Sequence, residues 1–178
     1  MKILFFSDVH GVPDALEKLL AHADRLAPDR LVLLGDALYH GPRNGVPTDY
    51  DTARTAELLN SRRDRLLAVR GNCDAEVDQL MLEFPIMADF AELWTEHDRF
   101  FLTHGHLWNE NRLPPLVPGT TLVHGHTHLP FLKTLPGGVT VFNPGSISLP
   151  KGGFPPSFGW YDGEKLSLRR LADGGPLA

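Results

Sequence analysis

The sequence predicts an α/β protein, a sandwich containing mixed β-sheets, and three observations carry that expectation. Short apolar runs rich in β-branched or aromatic residues recur along the chain. Apolar residues at helical spacing separate the first three runs, whereas turns rich in Gly and Pro punctuate the later ones.

Strands are expected at residues 3–6, 31–34, 66–69, 100–102, 121–123 and 139–142. Between the first two, Leu16, Leu19, Leu20 and Ala23 fall on one helical face after the Pro13-Asp14 start, so residues 13–27 read as an amphipathic helix. A second helix is expected from 51 to about 63, carrying Ala53, Ala56, Leu58 and Leu59, and a third, shorter one from about 75 to 82. Strand, helix, strand, helix, strand implies parallel strands joined by right-handed crossovers. In the second half, Pro136-Gly137-Gly138 and Asp162-Gly163 suit antiparallel hairpins. Two loops rich in Gly, Pro and Asn, 39–49 and 143–157, are expected to form walls of a site.

With 178 residues, 42% hydrophobic and 22% charged, one globular domain over 1–178 is the expectation. A formal charge of −5 and the lack of any basic run argue against duplex nucleic acid and anionic membrane as partners. Apolar stretches of about six residues are far below the ~20 that span a bilayer, and Met1-Lys2 leads straight into a strand rather than a signal peptide. The single cysteine, Cys73, has no internal disulfide partner. A cytoplasmic protein is expected.

The chemistry is concentrated at strand ends. Successive strands run into Asp8-Val9-His10, Gly35-Asp36, Arg70-Gly71-Asn72-Cys73-Asp74, Thr103-His104-Gly105-His106 and His124-Gly125-His126-Thr127-His128. The carboxyl ends of strands in open α/β sheets form the ligand crevice, so these segments should meet in space. Six of the nine histidines lie in them, which isolated surface histidines would not produce. Imidazole and carboxylate donors without thiolate clusters suit Mn, Fe, Zn, Co or Ni and disfavour a structural zinc site. With only two ligand carboxylates, divalent ions would keep excess positive charge to attract a phosphate and acidify a water.

At these residues the sequence resembles the calcineurin-like metallophosphoesterase superfamily, whose motifs DxH, GD, GNH plus an acidic residue, GH and GHxH match in order and spacing. Within it the chain is most similar to the YfcE-type bacterial phosphodiesterases, through Asp36 followed by His40-Gly41-Pro42-Arg43-Asn44, through 70–74 and 103–107, and through Asn143-Pro144-Gly145-Ser146 with Pro150-Lys151-Gly152-Gly153. The resemblance implies a four-layer αββα sandwich, with two mixed sheets flanked by helices. It also implies two divalent ions, Mn2+ foremost, with Asp8, His10, Asp36 and His128 at one and Asp36, Asn72, His104 and His126 at the other. Asp36 would bridge, and a bridging hydroxide would attack a phosphate ester in line, with Asn72 helping to stabilise charge.

Where most of the superfamily has a histidine after the asparagine, able to protonate a leaving group, this chain has Cys73, a weak donor; either another group such as His40 or a metal-bound water supplies the proton, or the leaving group needs little help. Arg43, Asn44 and His106 are the expected substrate contacts, while His124 is read as a polar strand-end residue. Trp94, Trp108 and Trp160 are read as packing residues rather than as a stacking platform. A small phosphodiester is the expected substrate, and a homo-oligomer is left open. The alternatives are a phosphomonoesterase or nucleotide phosphatase on the same site, and a non-catalytic protein-interaction scaffold of the same fold, as in the retromer subunit.

Overall fold

The computed structural model describes residues 1–177. In chain order the elements are β1 (Ile3–Phe6), α1 (Pro13–Leu26), β2 (Arg30–Leu33), α2 (Thr52–Asn60), β3 (Leu66–Ala68), α3 (Glu76–Met81), β4 (Phe90–Trp94), β5 (Arg99–Thr103), β6 (Thr120–Val123), β7 (Phe131–Thr134), β8 (Thr140–Asn143), β9 (Ser157–Tyr161) and β10 (Leu166–Arg170). They form two five-stranded sheets, ordered β10-β9-β1-β2-β3 and β4-β5-β6-β8-β7. Each sheet has three parallel strands, β1, β2 and β3 in one and β5, β6 and β8 in the other. Antiparallel neighbours complete each: β9 and β10 beside β1, β4 beside β5, and β7 beside β8.

The alternation of side chains along β1 explains why two sheets stack. Leu4 and Phe6 face one way and join Leu16, Leu19 and Leu59 from α1 and α2, while Ile3 and Phe5 face the other and join Phe100, Leu102, Val123 and Phe142 of the second sheet. A strand buried on both faces must be apolar throughout, as β1 is. The outer face of the second sheet is closed by Trp108 and Leu116, which pack on Phe101, Leu122, Val139 and Val141.

The six strands and three helices expected from the sequence are all present, with ends shifted by one to three residues. Asp51 caps α2 by accepting the Arg54 N–H at 2.9 Å, and the helix stops at Asn60 before a 3-10 turn, Arg63–Arg65, that the helical spacing did not separate. Four strands lie outside the expected set: β4, β7, β9 and β10. The first two expose alternate or successive residues at sheet edges, so neither shows a solid apolar run. β9 carries Gly159 at its centre, where a Cβ would lie 2.5 Å from the Phe142 ring; the glycine lets that ring close the inter-sheet layer. The turns at 136–138 and 162–163 do join antiparallel pairs, β7 with β8 and β9 with β10.

Among the tryptophans, Trp160 is buried against the helices and Trp108 packs edge-on against Phe90 and Phe101. Trp94 is exposed on edge strand β4 beneath the Arg99 guanidinium, 4.6 Å from its ring centre. No helix is long and apolar enough to cross a membrane among the described residues.

Phe5 is fully buried, with its ring centre 5.6 Å from Phe100 and 5.9 Å from Phe142 across the sheets. Phe5→Ala is expected to lower unfolding free energy by about 3–5 kcal/mol, read by urea denaturation; a loss below about 1 kcal/mol would mean that this ring does not join the two sheets.

Candidate metal centre

All six parallel strands point their carboxyl ends to one side, and the loops that follow are laced to one another there. Val9 and His10 donate backbone N–H groups to the Asp36 carbonyl, both at 3.0 Å, so the loop after β1 is held on the loop after β2. Ser146 and Ser148 donate their hydroxyls to the Asp8 carbonyl at 2.8 Å each. Across the second sheet, Gly125 N–H donates to the His104 carbonyl at 2.8 Å.

Asp74 is the central acceptor of this lacing. Its carboxylate receives the N–H groups of Asp36 at 2.8 Å, Ala37 at 2.9 Å and Gly71 at 2.7 Å. Gly71 is required at its position because a Cβ would collide with the Asp36 carboxylate.

Five of the residues expected as ligands, Asp8, His10, Asp36, His126 and His128, have left-handed backbone with φ between 50° and 66°. Such conformations cost on the order of 1–3 kcal/mol each in non-glycine residues and persist where surrounding structure imposes them. Here the imposed conformation turns each side chain inward.

The side chains converge in two overlapping clusters. In the first, Asp8 Oδ1 lies 3.3 Å from His128 Nε2 and 3.7 Å from His10 Nε2, and the two imidazole nitrogens are 3.4 Å apart. In the second, His104 Nε2 lies 3.5 Å from Asp36 Oδ2, 3.1 Å from Asn72 Oδ1 and 3.3 Å from His126 Nδ1. Asp36 Oδ2 is also 3.7 Å from His10 Nε2, which makes this one oxygen common to both groups. Ligands about 2.0–2.2 Å from an ion stand roughly 3.0–3.5 Å from one another, and apart from the two 3.7 Å contacts of His10 the separations here fall in that range.

The hydrogen-bonding chemistry of the donors fits cations. A carbonyl can only accept, so the contacts of His10 Nδ1 with Tyr39 O at 2.8 Å, His104 Nδ1 with Leu34 O at 2.7 Å, and His128 Nδ1 with Leu149 O place a proton on each Nδ1. In the neutral rings, Nε2 then carries a lone pair. The facing lone pairs of His10 and His128 converge on Asp8 Oδ1, a buried oxygen without a hydrogen-bond donor. Buried acceptors pointed at one another are costly unless a proton or a cation lies among them.

Electrostatics agree. Burial would raise the carboxyl of Asp8, but the close contact with His128 and the imidazole of His104 outweigh it and hold it below the usual carboxylate range. Asp36 is likewise lowered, burial being overcome by its hydrogen bond to His104. Burial opposes charge on His104, yet Asp36 and then Asp8 raise it to about 9. Burial and the neighbouring His104 lower His126 to about 4.

An open cleft of about 360 Å³ sits over these atoms, lined by His10, Asp36, Asn72, Cys73, His126 and His128. Gly41, Pro42, Arg43 and Asn44 of the first expected loop, and Thr127 and Lys151, complete its wall. Arg43 and Asn44, expected as substrate contacts, both lie on this wall. His40 does not line the cleft; its ring lies between Tyr39 and Tyr50, with centres 4.7 and 5.2 Å away. His106 also lies off the cleft wall, beside His104 at 5.4 Å between ring centres. His124 is fully buried, with Nε2 3.2 Å from Glu110 Oε2, and takes no part in the clusters. Sequence reasoning did not assign roles to Asp74, Lys151, Ser146 or Ser148, although the first three stand in segments that carried the resemblance. Cys73, half-buried, is pushed up to about 12 by burial and then by the charge of Asp36, so its thiol stays neutral.

The fold and site together define a phosphoesterase. The model of the calcineurin-like phosphoesterase superfamily domain matches residues 1–165, and the chain belongs to that family. It is 47% identical over 178 residues to phosphodiesterase YfcE of Escherichia coli strain K12, covering 100% of this chain and 96% of that protein. The solved structure of the phosphoesterase Yfce from E. coli superposes with a TM-score of 0.96 over 100% of this chain and 97% of that one. Vacuolar protein sorting 29 from Cryptosporidium parvum, 20% identical with a TM-score of 0.61 over 99% of this chain and 94% of that one, shares the fold.

Asp74→Ala removes the common acceptor for three buried N–H groups and is expected to lower stability by about 3 kcal/mol. Denaturation of metal-free protein would show it, and a loss under about 1 kcal/mol would mean that the loops do not depend on this carboxylate. The His104 value sets a pH effect of definite sign. Its folded value, about 9, lies above the unfolded 6.5, so its contribution is complete below pH 6.5 and is lost as pH rises through about 9. The melting temperature of metal-free protein is expected to fall over that interval, and replacing His104 by Gln should flatten the fall; an unchanged slope would remove the Asp36–His104 pair as its cause.

Proposed function

We propose that this chain is a metal-dependent phosphodiesterase acting on a small phosphate diester. One observation carries the reading: Asp36 Oδ2 is shared by two clusters of nitrogen and oxygen donors whose lone pairs converge. The first ion would be held by Asp8, His10, Asp36 and His128, and the second by Asp36, Asn72, His104 and His126. Divalent ions held there would supply Lewis-acid neutralisation of a phosphate and would acidify a bound water. Mn2+ is the first choice for this donor set, with Fe, Zn, Ni and Co next.

The chain's own residues orient and bind. The three backbone carbonyls on Nδ1 atoms fix imidazole tautomers before a substrate arrives. Asn72 is exposed to the cleft and offers a polar group to an equatorial oxygen. Arg43 and Lys151, both exposed and both on the cleft wall, attract an anion and can grip its non-bridging oxygens. The neutral Cys73 thiol is a weak acid, which favours an ester whose leaving group needs little protonation. The diester preference is further supported by the similarity to the E. coli phosphodiesterase. Acidic balance and the absence of a membrane-crossing helix among the described residues support a small solute as substrate and the cytoplasm as its compartment.

The test is a pair of variants on metal-free protein reconstituted with single divalent ions. Asp36→Ala is expected to abolish diester hydrolysis and to reduce bound metal at both positions, measured by elemental analysis after gel filtration. Arg43→Ala should keep its metal while kcat/KM falls about 10- to 100-fold, the range of one charge-assisted hydrogen bond. Retained turnover in Asp36→Ala would reject the shared-oxygen centre. Faster hydrolysis of a matched aryl monoester than of the diester would move the assignment to a phosphomonoesterase.

A further inference from the structure

A second cleft, of about 280 Å³, adjoins the first and has a different chemistry. It is lined by Leu38, Tyr39, Tyr50, Thr52, Cys73, Ala75, Val77, Asp78 and Met81, so its walls are largely aliphatic and aromatic. Its one charged residue, Asp78, is buried and accepts the Ala75 N–H at 2.8 Å. Val77, Met81 and Tyr39 are each more than a third exposed, a local concentration of apolar surface.

Cys73 lines both clefts. It also stands within ligand distance of His10 and Asp36, so the shared wall is at the candidate metal centre itself. That wall is thin, because the residue packed against the thiol is Gly41, where a Cβ would already approach Sγ to 3.0 Å.

We propose that this cleft is a substrate subsite that receives a planar apolar ester group, of the size of one aromatic ring, from the phosphodiester held at the metal centre. The inference rests on the phosphodiesterase reading and deepens it by naming the class of ester. A phosphate gripped by Arg43 and Lys151 has its charge satisfied in the first cleft. A substituent directed from it across Cys73 enters a space with aromatic and aliphatic walls and no free cation, where water is displaced at a gain and a second anionic group would be unpaired. Cys73 is the residue that the two clefts share, so a substituent that leaves the first cleft on that side meets the second. Tyr39 serves both clefts, since its carbonyl holds the His10 ring while its side chain lines the apolar wall.

The experiment compares methylphosphonate with phenylphosphonate, titrated calorimetrically into Mn2+-loaded protein and into the double variant Val77→Gln, Met81→Gln. Both substitutions lie at exposed positions, and circular dichroism would verify the fold. Phenylphosphonate is expected to bind the parent protein about tenfold more tightly than methylphosphonate, the effect of burying one ring in a partly open cleft. In the double variant that advantage should fall below about threefold, with methylphosphonate binding unchanged. Equal binding of the two phosphonates to the parent, or a full advantage surviving in the variant, would overturn the subsite and leave the metal centre standing. If neither phosphonate binds the metal-loaded parent, the metal-centre reading falls and the subsite falls with it.

Discussion

Everything functional in this fold depends on one carboxylate oxygen, Asp36 Oδ2, lying between imidazole nitrogens that come from different sheets. His10 reaches it from the loop after β1, and His104 reaches it from the end of β5. Neither sheet alone could supply the set. Because β1 is buried on both faces, the sheets are held together directly beneath the oxygen, and any slip between layers would separate the nitrogens by more than a ligand sphere tolerates.

That convergence is unfavourable as protein chemistry alone. Two buried carboxylates, several imidazole lone pairs and five left-handed backbones are gathered without a lysine or arginine within the cluster. Protons on His104 relieve part of the repulsion in metal-free protein, as its raised value records. Cations held by these donors would relieve it more completely. The lacing around Asp74 maintains the arrangement in either condition, because its bonds run to backbone N–H groups rather than to the ligands' donor atoms.

The convergence of the candidate ligand residues was legible in the sequence because they follow strands whose apolar runs are unmistakable, and parallel strands must deliver their carboxyl ends to the same side. Asp8, Asp36 and His104 illustrate this, each one to three residues past a buried run. The role of Asp74 was not legible: its side chain acts on N–H groups 37 and 38 residues away, and nothing in local spacing announces that distance. Edge strands β4 and β7 were missed for a related reason, since exposure on alternating or successive residues erases the apolar pattern. His40 and His106 were chosen for chemistry and neighbourhood, but a ring's direction depends on packing. Tyr39 and Tyr50 hold the first off the cleft wall, and the second turns beside His104.

The division of labour that results has a consequence for specificity. Residues that gather charge at the centre are buried and fixed by carbonyls and N–H groups, so a substitution there disturbs folding and metal together. Residues lining the two clefts, among them Arg43, Lys151, Val77 and Met81, are exposed on loops or on the short α3, where changes cost little stability. Cys73 stands between these classes: its backbone N–H donates to Asp36 Oδ1 at 2.9 Å, while its side chain faces both clefts. The backbone contact is available to any residue except proline. On the proposed reading, the acidity of the side chain at this position bears on how a leaving group is met, and its bulk on how the charged cleft and the apolar one are separated.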